Sequence, residues 1–192
     1  VETLTTSDPR PCSDRARVCP PMGALSISSI ESGEPVHPGY GPECVTALVP
    51  ALLEGAPGPK CTPVGVSEAR SVVLFVLDGL GWNQLCSWAG FAPTLAGLEG
   101  GPITTVAPTT TAAALTSITT GLPPGEHGIV GYRVALGDSV LNALRWSTSG
   151  EGGDNRPDPK SFQPHPAFGA QRPPVITRVE HIGSGFCQAH LA

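Results

Sequence analysis

The segment Ser71–Trp82, with the sequence SVVLFVLDGLGW, decides the predicted fold class. Its first part, Ser71–Leu77, is a run of mainly apolar residues without the alternation that marks a half-buried strand. Such a run predicts a strand covered on both faces, as in the interior of a parallel sheet. The pair Asp78-Gly79 then ends the run. We therefore predict an α/β fold with a mostly parallel sheet flanked by helices.

Asp78 follows this predicted strand directly. Open α/β sheets bind their ligands at the carboxyl ends of the strands, so a carboxylate at this position is a candidate for chemistry. The alternative is that Asp78 only caps the helix predicted at Leu80–Ala89. The segment alone leaves both interpretations open.

Length and charge indicate a single domain and exclude some classes of binding partner. The chain has 192 residues, which is enough for one domain with a core of its own. It carries 11 Lys and Arg against 16 Asp and Glu, with no basic block. We therefore expect neither nucleic acid nor an anionic membrane as a partner. Apolar runs fall short of the roughly 18 residues of a membrane span, and the amino end shows no leader pattern.

The cysteines show no C-x-x-C pair and no regular spacing, which argues against a disulfide framework or a zinc ribbon. We expect reduced thiols and a cytoplasmic protein. The six residues concerned are Cys12, Cys19, Cys44, Cys61, Cys86 and Cys187.

Composition divides the chain in two. Val1–Pro21 is polar, Pro-rich and without periodicity, and we predict a disordered or non-native extension over residues 1–37. Either the start is missing or Met22 is the start, and we favour Met22. Residues 38–192 offer about three candidate strands, too few for a complete parallel sheet. We therefore interpret 38–192 as the amino-terminal part of a larger, here incomplete, α/β domain.

Further elements follow from apolar spacing and turn residues. The helices are predicted at Glu43–Glu54, Leu80–Ala89, Pro93–Leu98 and within Ala107–Gly121; strands are predicted at Ile103–Val106 and Val175–Val179; a β-hairpin insertion is predicted near 132–146, around Gly137-Asp138; and 147–174 is predicted to be a long polar loop.

Three threonines, Thr109, Thr110 and Thr111, lie at a predicted strand-to-helix junction. Hydroxyl groups at the start of a helix face free amide groups and the positive end of the helix dipole, which suits a bound phosphate. A threonine becomes a nucleophile only when a base or a metal lowers its pKa, and Asp78 could hold such a metal. The alternative is that the triplet is a helix cap and nothing more.

Two segments together resemble a known family. The first is VLDGLGW, and the second is APTTTAAALTSITTGLPPGEHGIVGY. Pro108–Thr111 and Thr120–Ile129 keep the register of Pro-[Ser/Thr]-x-Thr and Thr-Gly-Leu-x-Pro-x-x-His-Gly-Ile in the type I phosphodiesterase/nucleotide pyrophosphatase branch of the alkaline phosphatase superfamily. The resemblance is specific over Val72–Tyr132. It extends more loosely to Tyr40–Leu53 and to Leu144–Trp146.

The resemblance implies a metal-dependent hydrolase of small-molecule phosphate mono- or diesters, with two divalent metal ions, expected to be Zn²⁺. Asp78 would be a metal ligand. Thr111 would be both a metal ligand and the catalytic nucleophile, transiently phosphorylated or nucleotidylated, while the backbone of Thr109 or Thr110 could help to bind phosphate. The two-ion arrangement stabilises the attacking and the leaving oxygen.

The chain departs from the family pattern in two respects. Ala112–Leu115 stands where the diesterases carry Phe-Pro-Asn-His, so the amide that binds a phosphate oxygen is missing. The family's remaining Asp and His ligands are expected beyond residue 192, and two ligands do not complete a metal pair. We therefore expect this fragment to be inactive by itself.

Two alternatives to a hydrolase remain. A phosphotransferase or mutase of the same superfamily would use the same nucleophile but pass the phosphoryl group to an acceptor other than water. A non-catalytic remnant would keep the fold without the metals. A sulfatase is disfavoured, because its modified Cys or Ser motif is absent.

The histidines are weaker candidates. His127 lies in the Pro-x-x-His-Gly segment, where we expect it to shape the loop rather than bind metal. His165 stands between two prolines and is expected to be solvated. His181 and His190, with Cys187, match no standard metal-site spacing.

Overall fold

The structure is a computed structural model that describes residues 37–55, 58, 66, 69–150 and 156–191. Residues 1–36, and with them nearly all of the predicted extension at 1–37, lie outside the described residues. The division into an extension and a domain at 38–192 therefore stays a prediction.

The described part is built from short helices and one small sheet. The helices are α1 (Leu48–Glu54), α2 (Trp82–Ser87), α3 (Pro93–Ala96), α4 (Thr111–Thr120), α5 (Pro124–His127), α6 (Pro159–Phe162) and α7 (Gly185–His190); turns of 3₁₀ helix lie at Val45–Ala47, Ala167–Ala170 and Val179–His181; and the strands are β1 (Arg133–Leu136), β2 (Ser139–Asn142) and β3 (Ser147–Gly150).

The sheet is an antiparallel meander in the order β1-β2-β3. Leu136 pairs with Ser139 across the Gly137-Asp138 turn, so the predicted hairpin is confirmed. The third strand is a finding, because the sequence predicts a polar loop from residue 147 onwards. Ser139 pairs with Gly150. The Ser-Thr-Ser-Gly strand gains its order from pairing with β2 and not from its own apolar pattern.

The predicted buried strand at Ser71–Leu77 is wrong in this structure. No described residue pairs with this segment, and its side chains lie exposed, with Val73 88% and Phe75 73% accessible. A strand is held by hydrogen bonds to a neighbouring strand, so an apolar run without such a neighbour stays irregular. The fold is α/β in content, but a mostly parallel sheet is not shown.

A parallel bridge joins Cys44 and Thr104. The amide of Val45 donates to the Thr104 carbonyl at 2.9 Å, and the amide of Thr104 donates to the Glu43 carbonyl at 2.9 Å. The predicted strand at Ile103–Val106 is therefore reduced to this bridge. The predicted strand at Val175–Val179 is also wrong, since the chain there is irregular up to the 3₁₀ turn.

Helix predictions succeeded where local signals are strong. The helix predicted at Glu43–Glu54 is present as a 3₁₀ turn followed by α1. Pro50 is the third residue of α1, where an amide has no partner within the helix, so its missing N–H costs nothing. Helices α2 and α3 lie within their predicted ranges.

Helix α4 forms the centre of the fold and starts and stops as the sequence predicts. Thr110 is its N-cap, and Gly121 ends it in the left-handed conformation with a φ of 76°. A Cβ at Gly121 would lie 2.7 Å from the Cγ of Pro50, so α1 packs closely against the end of α4.

The main hydrophobic core lies between α4, the sheet and α7. It comprises Ala112, Ile129, Leu141, Ala143, Trp146, Phe186 and Ala189. The indole of Trp146 contacts the ring of Phe162 edge-on and donates a hydrogen bond of 2.9 Å to the Pro157 carbonyl. This core fixes the orientation of α4, whose first residue is Thr111.

Within the described ranges, every helix is too short or too polar to cross a bilayer.

Candidate active site

Asp78 lies in a turn that connects the exposed apolar segment to α2. Gly79 adopts a φ of 81°, which side-chain-bearing residues rarely adopt and which lets the chain reverse here. Gly81, and not Asp78, is the N-cap of α2, and no side chain caps this helix. The interpretation of Asp78 as a helix cap is therefore wrong, and its carboxylate is directed elsewhere.

The three threonines of the triplet have three different partners. The hydroxyl of Thr109 donates to the Val106 carbonyl at 2.7 Å. The hydroxyl of Thr110 accepts the amide of Ala113 at 3.4 Å and so caps α4. The interpretation of the triplet as a cap accounts for Thr110 only.

Thr111 is the residue that meets Asp78. Its Oγ1 donates a hydrogen bond of 2.8 Å to Asp78 Oδ2, across 33 residues of sequence. Metal–oxygen bonds are about 2 Å long, so two ligands of one cation can lie up to roughly 4 Å apart. The observed distance is well within this limit.

The surroundings of this pair are accessible and favour an anion. Asp78 is exposed and Thr111 is half-buried at the first position of α4. The amide groups of the first helical turn have no partners within the helix, and the helix dipole adds partial positive charge there. A phosphate group can therefore approach the Thr111 hydroxyl from solvent and meet amide donors beside it.

The pair does not by itself make a complete metal site. Asp78 Oδ2 and Thr111 Oγ1 supply two hard oxygen donors, whereas a catalytic zinc is held by three protein ligands. The part of the chain that the structure describes contains no group of three His, Cys, Asp or Glu residues able to hold a metal ion. The described residues therefore supply part of a metal site, and further ligands are needed to complete it.

His127 is buried beneath α4 rather than at the Thr111–Asp78 pair. Its Nε2 lies 2.8 Å from the hydroxyl of Ser117, and its Nδ1 accepts the amide of Ile129 at 3.1 Å. Burial lowers the pKa of His127 to about 4. Ser117 was missed by sequence reasoning, since a serine in the middle of a helix carries no signal of its partner ten residues further on.

The other histidines lie apart from the candidate site. His165 is half-buried and its amide donates to Gln163 Oε1 at 3.1 Å, so it is less solvated than predicted. His181 is exposed. His190 is fully buried, and burial lowers its pKa to about 4. Cys187 and Cys44 are free thiols among the described residues.

The model of the family "Type I phosphodiesterase / nucleotide pyrophosphatase" matches residues 72–184, which include Asp78, the threonine triplet and His127. The search of curated proteins found no match, and the search of solved structures found none. Because the family match spans more than half of the chain, the protein belongs to the type I phosphodiesterase/nucleotide pyrophosphatase family.

Proposed function

We propose that the protein is a metal-dependent hydrolase of small-molecule phosphate mono- or diesters, with Thr111 as nucleophile. The observation that carries this proposal is the 2.8 Å hydrogen bond from Thr111 Oγ1 to Asp78 Oδ2, at the exposed start of α4. Family membership supports the general reaction, which is hydrolysis of phosphodiester or pyrophosphate bonds.

Asp78 and Thr111 would provide the first two ligands of a divalent metal centre, with Zn²⁺ as the expected metal. When bound, the metal ions would lower the pKa of the Thr111 hydroxyl and neutralise charge on the phosphoryl group. The remaining ligands would come from residues that the structure does not describe.

The protein's own residues orient the attack. Asp78 fixes the Thr111 hydroxyl by accepting its hydrogen bond, and Thr110 fixes the first turn of α4 by capping it. The Thr111 hydroxyl would lose its proton to solvent, and Oγ1 would form a bond to phosphorus while the bond to the leaving oxygen breaks and that oxygen takes a proton from solvent. Water would then attack the phosphorus of the covalent intermediate, restoring the hydroxyl and releasing phosphate from a monoester or a phosphate monoester from a diester.

The residues after Thr111 bear on substrate choice. Ala112 and Ala113 face the core, and Ala114 is half-buried without any side-chain donor. A diester or a nucleotide would find no side-chain amide here, so we propose that a simple phosphate ester is bound mainly by the helix amide groups.

Because the described residues do not complete a metal site, we propose that this chain is inactive alone, and the proposed function is tested on the chain extended by the segment that supplies the remaining ligands. The assay is kinetics with p-nitrophenyl phosphate and bis(p-nitrophenyl) phosphate in the presence of Zn²⁺. Thr111→Ala should abolish turnover, and Thr111→Ser should retain part of it because the hydroxyl remains. Thr109→Ala is the matched control, since its hydroxyl bonds the Val106 carbonyl and not Asp78. Equal turnover by Thr111→Ala and the unmodified protein would overturn the proposal.

A second candidate is a non-catalytic member of the family. It is favoured by the finding that the described residues do not complete a metal site. The metal content of the purified extended chain separates the two candidates. Zinc that is lost in Asp78→Asn supports the hydrolase, whereas absence of zinc together with absence of turnover supports the remnant.

We also propose two features that go with the hydrolase. The complete domain would have a mostly parallel sheet flanked by helices, to which the parallel bridge between Cys44 and Thr104 would belong. The protein would be cytoplasmic, in keeping with the free thiols of Cys44 and Cys187.

A further inference from the structure

We propose that His127 and Ser117 form a clamp that positions the first turn of α4, and through it Thr111. This proposal rests on the proposed function of Thr111. In it, His127 and Ser117 are positioning residues, because neither side chain contacts Asp78 or Thr111 in the described structure.

The ring of His127 is held through both nitrogens. Ile129 donates its amide to Nδ1 at 3.1 Å, so Nδ1 carries no proton in the neutral ring. The proton is therefore on Nε2, which donates to the Ser117 hydroxyl at 2.8 Å. Nδ1 thus holds the loop after α5, and Nε2 holds α4.

The contact with α4 reaches its first turn. Ser117 lies in the second turn of the helix. A hydrogen bond with the backbone of Ala113, two residues after Thr111, raises the pKa of the His127 ring. Burial opposes this effect and is the larger influence. The imidazole therefore holds α4 at Ser117, in the turn that follows the one beginning at Thr111.

A further hydrogen bond, from Gln163, fixes the backbone of His127. Gln163 donates its side-chain amide to the His127 carbonyl at 3.1 Å, and Ser117 and Gln163 are both buried. The titratable groups that act on the ring are His165 for His127 and, in turn, His127 for His190. Among the described residues no carboxylate raises the pKa of His127, so the ring stays neutral and keeps its Nε2 proton near pH 7.

Two substitutions of His127 test its two hydrogen bonds separately, because each keeps one bond and removes the other. In His127→Asn the short amide can still accept the amide two residues on, as in an Asx turn, but cannot reach Ser117. In His127→Gln the longer amide places an N–H where Nε2 lies, so the link to α4 remains while the loop bond is lost. Ser117→Ala removes the same link from the helix side.

Amide hydrogen exchange measures the clamp without any requirement for activity. The amide of Leu115 bonds the carbonyl of Thr111 in helical geometry and reports on this turn. Losing one buried hydrogen bond of about 1 kcal/mol should speed its exchange by about fivefold or more in His127→Asn and in Ser117→Ala. In His127→Gln it should stay within about twofold of the original rate, while the Ile129 amide exchanges faster.

Ser117→Ala tests the clamp even if the His127 variants fail to fold. Alanine is the better helix former, so helix propensity alone predicts slower exchange in this variant, whereas the clamp predicts faster exchange. Slower or unchanged exchange of the Leu115 amide in Ser117→Ala would overturn the proposal. So would an equal acceleration in His127→Gln and His127→Asn.

A kinetic experiment tests the link to Thr111. In the extended chain with p-nitrophenyl phosphate and Zn²⁺, His127→Asn should lower kcat by about tenfold and leave KM within about twofold, because orientation of the nucleophile is lost and binding is not. His127→Gln should keep most of kcat. Thr111-dependent turnover with an unchanged kcat in His127→Asn would overturn the positioning role. Absence of any Thr111-dependent turnover refutes the proposed function, and hydrogen exchange then decides the clamp alone.

Discussion

At the scale of single residues, two buried imidazoles stand out. His127 has partners for both ring nitrogens, whereas His190 has none among the described residues. His190 is packed instead against the rings of Trp146 and Phe186, with centroid distances of 5.9 and 4.7 Å. A neutral ring is tolerated there, but a charged one is not.

These residues make the protein sensitive to acid. Burial lowers the pKa of each ring from 6.5 to about 4. Between those values the unfolded chain binds protons that the folded chain does not, so the free energy of unfolding is highest above pH 6.5 and falls as the pH drops towards 4. The loss should reach about 3 kcal/mol for each histidine.

Replacement of His190 tests this account. His190→Leu should remove about half of the loss between pH 7.5 and pH 4.5, and should raise the free energy of unfolding at pH 7.5 by about 1 kcal/mol, because an unpartnered polar ring is removed. Urea titrations at the two pH values measure both effects. His181→Gln is the control, since His181 is exposed. An unchanged pH dependence in His190→Leu would contradict the assignment.

At the scale of elements, local signals decided which predictions succeeded. The Gly137-Asp138 turn and the alternation beside it specify the hairpin, and Thr110 and Gly121 specify both ends of α4. These patterns act over a few residues. The strand predicted at 71–77 failed because it depends on a neighbouring strand, which no apolar run specifies by itself.

Gly121 tests the end of α4. Gly121→Ala should lower the free energy of unfolding by about 1–2 kcal/mol or more, because alanine is strained at positive φ and its Cβ would press on Pro50. Gly125→Ala is the matched control, since Gly125 is helical and a Cβ there meets nothing within 4 Å. This control should stabilise the protein by about 0.5–1 kcal/mol. Denaturant midpoints that move in the same direction for both variants would contradict the prediction.

The exposed apolar segment at 71–77 is expected to promote self-association of the protein. An uncovered apolar run without paired edges invites association between molecules. Val73→Lys should therefore lower the apparent mass seen by light scattering at high protein concentration. Ile176→Lys is the control, because Ile176 is 99% exposed but lies in a different part of the chain. An equal effect of both substitutions would show that general surface charge, and not this segment, is responsible.

At the scale of the whole molecule, the fold brings together residues that the sequence separates. Asp78 and Thr111 are 33 residues apart, and only the family resemblance paired them before the structure did. Ser117 and His127 are ten residues apart and lie on different helices, so no periodic pattern could join them. Contacts between elements are set by packing of the core around Trp146, which the sequence describes only as apolar positions.

The central claim is that Thr111 attacks phosphorus with Asp78 at its side. Intact-protein and peptide mass spectrometry, after incubation with p-nitrophenyl phosphate and Zn²⁺ and an acid quench, tests it most directly. In the chain extended by the segment that supplies the remaining metal ligands, the account predicts a phosphoryl adduct on Thr111 that disappears in Asp78→Asn. Absence of the adduct from Thr111, or an equal adduct in Asp78→Asn, would contradict it.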